Sequence, residues 1–373
     1  MTTLTAILDD LGGRQGSALA QYAAELAVAL VECAPPGCDL AAILSADTDG
    51  GHERALARVP GLAEILSAKQ DSRGLARAWA LGLGPRPDGL LHSPSLLAPL
   101  ARHERGDGTQ LVVTVHDLRA FAAPDELPEG VAAWQRQMLK RARRFADAVV
   151  VPTHAVAEEL LDRVPLGDRV RVIPGAVSPS FAPAADEAQH EQERQRLALP
   201  ERFVITELGG SPDGLLDVLR AVRLLPEDVA LVVGGPAAPE AVARVAGEAS
   251  VPVQRVHALG PQEQRLLATA YAQARAAVFA PRHDGFGLPL LHAFRSGVPA
   301  VHLASPALAE TSAGAAVEVT SGPDAPAALA EALLPLLEDS PAREARIVLG
   351  RDRETAFSWA SAADAVWQLH AEL

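Results

Sequence analysis

Residues 284–301 read Asp284-Gly-Phe-Gly-Leu-Pro-Leu-Leu-His-Ala-Phe-Arg-Ser-Gly-Val-Pro-Ala-Val301. A short apolar run at 277–279 precedes this stretch, and from Leu288 onwards the pattern has the period of a helix. Gly285 and Gly287 therefore lie between a strand and a helix, where backbone N–H groups can approach an anion closely because no side chain intervenes. The positive end of the helix dipole favours an anion in the same place. The stretch predicts an α/β unit with an anion site, and the alternative is a tight turn with a purely structural role.

Short apolar runs alternate with longer helical patterns along the chain. This order predicts βαβ units and parallel sheets. The predicted strands carry few charges, so both of their faces must be covered, as in a doubly wound sheet. The strands are predicted at 4–8, 40–44, 89–92, 111–115, 148–151 and 170–173, and then at 203–206, 229–233, 253–256, 277–279, 300–303 and 316–319. Helical patterns include 18–31 and 131–145.

The periodic pattern is interrupted near the middle of the chain. Ile173-Pro174-Gly175 ends a strand, turn residues follow from Ser178, and a charged stretch covers 186–196. This composition predicts a hinge between roughly 176 and 200, and we place the first domain at 1–178 and the second at 179–355. Two such sheets would form a cleft between the carboxyl ends of their strands, where open α/β sheets bind ligands.

The segments quoted above resemble the family 4 glycosyltransferases, which have the GT-B fold of two Rossmann-like, doubly wound parallel-sheet domains facing across a cleft. The pattern of that family is Glu-Gly-Phe-Gly-Leu-Pro, then a second Glu, an Ala, a Gly and Pro-Val. Further matching segments occur in order along nearly the whole chain: Thr114-Val-His-Asp117, Thr153, Val172-Ile-Pro-Gly175, Gly260 with Leu266, Tyr271 and Ala274, Ala307-Leu-Ala-Glu310, and Phe357-Ser-Trp359. The last of these and its helix, 356–373, look like the segment that crosses back onto the first domain in the family.

The resemblance implies a retaining, metal-independent transferase that moves a mannose- or glucose-type hexose from a nucleotide-sugar donor to a glycan or lipid-linked acceptor. It implies that Asp284 binds the donor sugar and that His292 binds the ribose. It assigns the phosphates to the backbone of the glycine turn, which comprises Gly285, Phe286, Gly287 and Leu288.

In the first domain, the resemblance places His116 beside the donor sugar, directly after the predicted strand 111–115. We take His116, Asp117 and Asp284 as the candidate catalytic residues. The alternative for His116-Asp117 is a simple Asx-type turn. The acceptor side is assigned to Gly12, Gly13, Tyr22 and His92, and for His92 a structural role is the alternative.

Four departures from the family pattern bear on activity. The first Glu is Asp284, and the second is His292, which offers a ring nitrogen instead of a carboxylate. The Arg-Lys pair that clamps the leaving diphosphate in the family falls in the loop that begins with Gly209 and Gly210, which are assigned to the donor site. Pro212 and Asp213 stand in place of the pair. The glycine loop of the first domain reads Ala18-Leu-Ala-Gln-Tyr22, and the glycines just upstream are expected to take over part of its role.

Losing the cationic clamp is the most serious departure, because a leaving diphosphate develops negative charge. Removing one positioned donor typically costs about 3–4 kcal/mol, or roughly 10²–10³ in rate. Arg282 and Arg295 flank the glycine turn and are candidate replacements, with Arg282 preferred and assigned to the donor site. The alternative is that both are surface arginines.

The composition excludes several classes of protein. The chain has 373 residues, a formal net charge of −14 and a pI near 5.3, which argue against a nucleic-acid partner. The two cysteines, Cys33 and Cys38, are too few for a disulfide framework and are expected to be free thiols. We expect no metal and no cofactor, since the sequence has no cluster of metal ligands and the nucleotide sugar is a substrate.

A cytoplasmic location is expected, because Asp9 and Asp10 interrupt the first apolar run and no run is long enough to cross a membrane. The segment 134–145 places Trp134, Met138 and Phe145 on one helix face and basic residues on the other. Such a helix can rest on an anionic membrane, so peripheral contact with the inner membrane face, or with another glycosyltransferase, is a further expectation. The alternative is a solvated outer helix of the first sheet.

Two functions remain open at this point. One is an active transferase, which the retained Gly-Phe-Gly-Leu-Pro and His-Asp segments favour. The other is a catalytically silent GT-B protein that serves as a binding module or as a partner of an active transferase, which the missing clamp and the altered glycine loop favour. A GT-B isomerase or phosphorylase is a third and weaker reading.

Overall fold

The computed structural model describes residues 2–9, 18–46, 50–103, 108–183, 186–208 and 214–373. Its contacts divide the chain into two compact units, residues 1–175 with 358–373 and residues 176–357. Each unit contains one parallel sheet with helices packed on it. The predicted fold class, two doubly wound α/β domains, is confirmed.

The first unit contains a seven-stranded sheet in the order β3-β2-β1-β4-β5-β6-β7. Its strands are β1 Thr2–Ile7, β2 Cys38–Leu44, β3 Glu64–Ser67, β4 Leu90–Ser93, β5 Gln110–Thr114, β6 Ala148–Val151 and β7 Val170–Val172. Its helices are α1 Ala18–Glu32, α2 Gly51–Arg58, α3 Ser72–Ala80, α4 Arg119–Ala122, α5 Val131–Phe145 and α6 His154–Arg163. All four residues of β6 are buried, which is why this central strand reads as a continuous apolar run instead of an alternating one.

The second unit contains a six-stranded sheet in the order β10-β9-β8-β11-β12-β13. Its strands are β8 Phe203–Glu207, β9 Ala230–Gly234, β10 Val256–Gly260, β11 Ala276–Phe279, β12 Ala300–Leu303 and β13 Val317–Val319. Its helices are α7 Glu187–Arg196, α8 Leu215–Leu224, α9 Pro239–Glu248, α10 Gln264–Gln273, α11 Leu288–Arg295, α12 Pro306–Ser312, α13 Ala325–Leu333 and α14 Pro341–Glu354. Valines on the three central strands, Val204, Val278 and Val301, are fully buried in its core.

The last helix, α15 Trp359–Glu372, belongs to the first unit although the second unit precedes it in sequence. The side chain of Ser358 accepts a hydrogen bond from the Ser361 amide and caps the helix. The indole of Trp367 donates to the carbonyl of Leu30 on α1 over 3.1 Å. This buried bond fixes α15 against α1 in the core of the first unit.

Most predicted elements are confirmed, but two edge strands were predicted wrongly. The strand predicted at 253–256 is a 3-10 turn over Val253–Arg255, and β10 begins only at Val256. The strand β3 was not predicted at all. Both strands lie at a sheet edge and are only partly buried. Their sequences give a weak apolar signal, although the edge strands β7 and β13 were predicted close to their observed positions.

The basic helix α5 spans the predicted range, 131–145. Met138 on its apolar face is fully buried in the core of the first unit, with Trp134 packed against the same core. Arg141 and Arg144 lie over the ring of Phe145, with 5.3 and 5.2 Å from guanidinium carbon to ring centroid. The apolar face therefore covers the sheet, and Lys140 and Arg143 lie on the exposed face.

Within the described residues, no helix combines the length and the apolar character that a membrane span requires. Both cysteines are free thiols. Burial is the main cause that raises the pKa of Cys33, and the charges of Asp364 and Glu32 raise it further.

Candidate functional site

The order of the strands in the second sheet reverses between β8 and β11. From β8 the chain proceeds to β9 on one side, and from β11 it proceeds to β12 on the other. Because all strands are parallel, their carboxyl ends lie at one edge of the sheet. Open α/β sheets bind ligands in the crevice at such a reversal, so the residues that follow β8 and β11 form the candidate site.

The turn from β11 to α11 is held by Asp284. Its Oδ1 accepts hydrogen bonds from the amides of Phe286, at 2.8 Å, and Gly287, at 2.7 Å. The hydroxyl of Thr311 donates to the carbonyl of Phe286 over 2.6 Å. Two of the backbone donors predicted to bind phosphate are thus already paired with a carboxylate in this structure.

Gly287 immediately precedes α11 in a left-handed conformation, with φ of 79°. A Cβ at this position would lie 2.4 Å from Cδ2 of Leu308, which is 1% exposed. The backbone conformation and the close packing both require glycine here. Pro289 in the first turn has no N–H, and Leu290 and Leu291 donate to the carbonyl of Gly287. The glycine turn is therefore rigid, and much of its hydrogen-bonding capacity is used within the protein.

Strand β8 ends at the same edge of the sheet. The predicted donor residues Gly209 and Gly210, and Pro212 and Asp213 at the place of the clamp, lie outside the described residues. The loop ends at Gly214, whose φ is 71° and where a Cβ would lie 1.8 Å from the carbonyl oxygen of Ala280. The start of α8 therefore packs directly on the end of β11, two residues before Arg282. Arg282 itself is exposed in the turn.

His292 lies on α11 and is 2% exposed. Its Nδ1 lies 2.8 Å from Oε2 of Glu207, the last residue of β8. Phe181 stacks on the imidazole with ring centroids 4.0 Å apart and 10° between the planes. The hydroxyl of Tyr271 donates to the same Glu207 oxygen over 2.9 Å. The ring predicted to bind ribose is thus enclosed by the protein, and it contacts a carboxylate that the sequence did not single out.

Glu207 is the site residue that sequence reasoning missed. The predicted strand 203–206 ended one residue before it, and the contact with His292 joins residues 85 positions apart. One signal was available, since Glu207 is the one charged residue of β8 and stands at its carboxyl end, where ligands bind.

Arg295 has a structural role. Its guanidinium pairs with the carboxylate of Glu354, with Nε 2.9 Å from Oε1, and donates to the carbonyl of Ser178 over 3.0 Å. These bonds attach α11 to α14 and to the segment that follows residue 175. Arg295 is therefore committed to internal contacts, and Arg282 is the exposed arginine of the two.

In the first unit, His116 and Tyr22 contact each other. His116 is half-buried after β5, and its Nε2 lies 2.7 Å from the carbonyl oxygen of Pro94. Tyr22 packs against its ring, with centroids 4.6 Å apart. Burial lowers the pKa of His116, although the bond to Pro94 and the charge of Asp117 partly counteract this. The imidazole is therefore neutral at pH 7, with the proton on Nε2 and Nδ1 left as the basic nitrogen.

Asp117 forms a local turn with Arg119. Its Oδ1 accepts from the Arg119 amide at 3.0 Å, and its Oδ2 accepts from Nε at 3.1 Å. Tyr22 contacts Trp359 as well as His116. Burial raises the pKa of Tyr22, while a hydrogen bond with Thr114 lowers it.

His92 does not fit its predicted place on the acceptor side. It is 1% exposed within β4 and packs against His370 of α15, with ring centroids 5.7 Å apart. Its side chain is inside the first unit, so it does not present a ring nitrogen to a ligand in this structure. Gly12 and Gly13, also predicted on the acceptor side, lie outside the described residues.

Both halves of the chain match family models of glycosyltransferases. The family model for Glycosyltransferase Family 4 matches residues 17–181, and the model for Glycosyl transferases group 1 matches residues 203–339. A D-inositol 3-phosphate glycosyltransferase of Corynebacterium glutamicum is 28% identical over 281 residues, which cover 68% of this chain and 64% of that protein. A second one, of Corynebacterium aurimucosum, is 27% identical, covering 70% and 66%. The matched region thus spans slightly less than two thirds of these relatives.

Solved structures share the fold over the whole chain. Sucrose-phosphate synthase from Thermosynechococcus elongatus is 19% identical, with a TM-score of 0.69 and coverage of 100% of this chain and 99% of that one. Anabaena HepE in complex with UDP-glucose is 15% identical, with a TM-score of 0.69 and full coverage of both chains. These matches and the two parallel sheets show that the fold is GT-B. The two family models, which together cover most of the chain, show that it belongs to the glycosyltransferases, its first half to Family 4 and its second half to group 1.

Proposed function

We propose that the protein is a retaining, metal-independent hexosyltransferase that moves a mannose- or glucose-type sugar from a nucleotide-sugar donor to a hydroxyl of a glycan or lipid-linked acceptor. The observation that carries the proposal is the rigid turn between β11 and α11, at the strand reversal of the second sheet. It presents Asp284 and the N-terminus of α11 at the edge where such sheets bind ligands.

The similar proteins support the chemical class of both substrates. The HepE structure contains UDP-glucose, which supports a sugar linked to a nucleoside diphosphate as the donor. The corynebacterial relatives are named for transfer to inositol 3-phosphate, which supports an acceptor with ring hydroxyls. The exposed basic residues of α5 support contact with an anionic membrane that carries a lipid-linked acceptor. Location at the inner membrane face follows from this proposal.

Catalysis in this proposal depends on neutralising the leaving diphosphate, and Arg282 is the group assigned to that task. It is exposed just before the glycine turn, and Gly214 at the start of α8 packs on Ala280, two residues before it. His116 and Asp117 are assigned to the reacting face, where the neutral imidazole of His116 offers a hydrogen-bonding nitrogen rather than a positive charge.

The alternative function is a silent GT-B module that binds a ligand or an active transferase without turnover. One structural observation favours it. Asp284 occupies two backbone donors of the glycine turn, and in the sequence Pro212 and Asp213 stand where the family has two cations. A phosphate at this turn must compete with Asp284 for those donors.

Calorimetric titration with UDP-, GDP- and ADP-sugars, followed by turnover assays in the presence of EDTA, tests the proposal. We expect one donor to bind and to be transferred or hydrolysed without added metal. Arg282→Ala should then reduce turnover by roughly 10²–10³. Arg244→Ala is the matched control, since Arg244 is an exposed arginine of α9 paired with Glu248. Binding without turnover would establish the silent module, and an active wild type that tolerates Arg282→Ala would remove Arg282 from the mechanism.

A further inference from the structure

Glu207 presents a carboxylate at the ligand-binding edge of the second sheet. It is the last residue of β8, one of the two strands between which the strand order reverses. Its side chain is 15% exposed, whereas His292 and Tyr271, which hold it, are 2% and 0% exposed. The group is therefore supported from the interior and accessible from the edge.

The geometry around Glu207 fixes one of its two oxygens. Nδ1 of His292 and the hydroxyl of Tyr271 lie 2.8 and 2.9 Å from Oε2. Burial and the neighbouring Glu207 charge raise the pKa of Tyr271 well above its usual range, so its phenol stays a proton donor. Phe181 stacks on His292 and restrains the imidazole. The hydrogen bonds that described residues make to Glu207 both end on Oε2, so none of these residues occupies Oε1.

An ionised carboxylate accepts hydrogen bonds and repels phosphate, so its natural partner in a nucleotide sugar is a hydroxyl group. The carboxylate is already held in place, which reduces the entropy that ligand binding would otherwise cost. We propose that Glu207 accepts a hydrogen bond from a sugar hydroxyl of the donor, either on the ribose or on the transferred hexose. His292, where the resemblance places the ribose-binding residue, then acts as a positioning residue for Glu207. The inference rests on the proposed function, because it requires a nucleotide-sugar donor.

Titration calorimetry on wild type and Glu207→Gln tests this assignment, with UDP, UDP-glucose, GDP and GDP-mannose as probes. Loss of a charged hydrogen bond should weaken donor binding roughly ten- to hundredfold. The 2′-deoxy and 3′-deoxy forms of UDP and GDP distinguish the two sources of the hydroxyl. If it belongs to the ribose, wild type prefers the ribonucleotide and Glu207→Gln loses that preference. If it belongs to the hexose, Glu207→Gln weakens binding of the nucleotide sugar but not of the nucleoside diphosphate.

Three further variants make the result decisive. Tyr271→Phe removes one bond that positions the carboxylate, so donor affinity should fall only a few-fold. Glu207→Asp keeps the charge but withdraws it by one methylene, and it replaces Glu207→Gln if circular dichroism shows that the amide variant does not fold. Asp228→Asn is the control, because Asp228 is an exposed carboxylate preceding β9 at the opposite edge of the sheet. Its donor affinity should equal that of wild type.

The outcomes separate this inference from the proposed function. If wild type binds a nucleotide sugar and the Glu207 variants bind every probe equally well, Glu207 is only structural and the inference is overturned while the proposed function stands. If wild type binds none of the nucleotide sugars, the proposed function fails and the inference fails with it.

Discussion

At the scale of single residues, Asp284 combines a structural contact with its predicted role in binding the donor sugar. One carboxylate oxygen holds two consecutive amides of the glycine turn. An asparagine could accept the same two bonds through its side-chain oxygen, whereas an alanine could accept neither. The structural and the charge-dependent contributions of Asp284 can therefore be separated by substitution.

Asp284→Ala should lower the free energy of unfolding by about 1–2 kcal/mol, because two backbone donors lose their acceptor. Asp284→Asn should keep most of the free energy of unfolding that Asp284→Ala loses. Urea denaturation of both variants beside wild type measures the difference. Equal stability of wild type and Asp284→Ala would show that the two hydrogen bonds contribute nothing to the turn.

The residues of the site were only partly predictable from sequence. Asp284 and Gly287 were found because a strand, a glycine turn and a helix follow one another locally. The pairing of His292 with Glu207 joins α11 to β8 and depends on packing that no local pattern encodes. The burial of His92 beneath α15 has the same origin, since its partner His370 is distant in sequence.

At the scale of elements, the turn into α11 depends on Gly287 for two separable reasons. Its left-handed backbone disfavours any side chain, and a Cβ would collide with the buried Leu308. Gly314 offers a matched comparison, because its φ of 82° is similar and a Cβ there would meet nothing within 4 Å.

Gly314→Ala should therefore lower the free energy of unfolding by about 1 kcal/mol, the cost of the left-handed conformation alone. Gly287→Ala should add to this roughly 1–3 kcal/mol for the collision with Leu308. Chemical denaturation of the two variants under identical conditions gives the comparison. If the two variants lose the same free energy of unfolding, Leu308 moves aside without an energetic cost.

The same elements show how far sequence predicts this fold. Central strands such as β6 and β12 were found with the correct bounds because continuous apolar runs are typical of strands buried on both faces. The prediction missed β3 and misplaced β10, which are partly buried edge strands that contain polar residues. The edge strands β7 and β13 were found because valines stand on both sides of their single charged residue. Val253 attracted the strand prediction, yet it is 66% exposed in a 3-10 turn.

At the scale of the whole molecule, α15 contributes to the core of the first unit from the far end of the sequence. Its His370 binds the side-chain oxygen of Gln110 through Nδ1, over 2.9 Å, and its ring meets His92 of β4. Neither ring nitrogen of His92 has a hydrogen-bond partner among the described residues. Two histidines are therefore buried together where the last helix covers the sheet.

Burial lowers the pKa of His92 to about 3, with a smaller contribution from His370, and it lowers the pKa of His370 to about 4. In the unfolded chain both rings titrate near 6.5. Between these values the unfolded state binds protons that the native state does not bind. The contribution of the two neutral histidines to the free energy of unfolding is therefore fully present above about pH 6.5. It is lost progressively as the pH falls towards 4.

Lowering the pH from 7.5 to 5.5 should accordingly reduce the free energy of unfolding by about 2–3 kcal/mol, since each histidine contributes about 1.4 kcal/mol per pH unit below its unfolded pKa. His92→Leu removes a buried ring whose nitrogens have no hydrogen-bond partner among the described residues. It should therefore remove about half of this loss and leave the variant at least as stable as wild type at pH 5.5. Urea denaturation of both proteins at the two pH values measures the difference. If His92→Leu loses as much free energy of unfolding between pH 7.5 and 5.5 as wild type does, other groups cause the pH dependence. In that case α15 covers the sheet without excluding protons from His92.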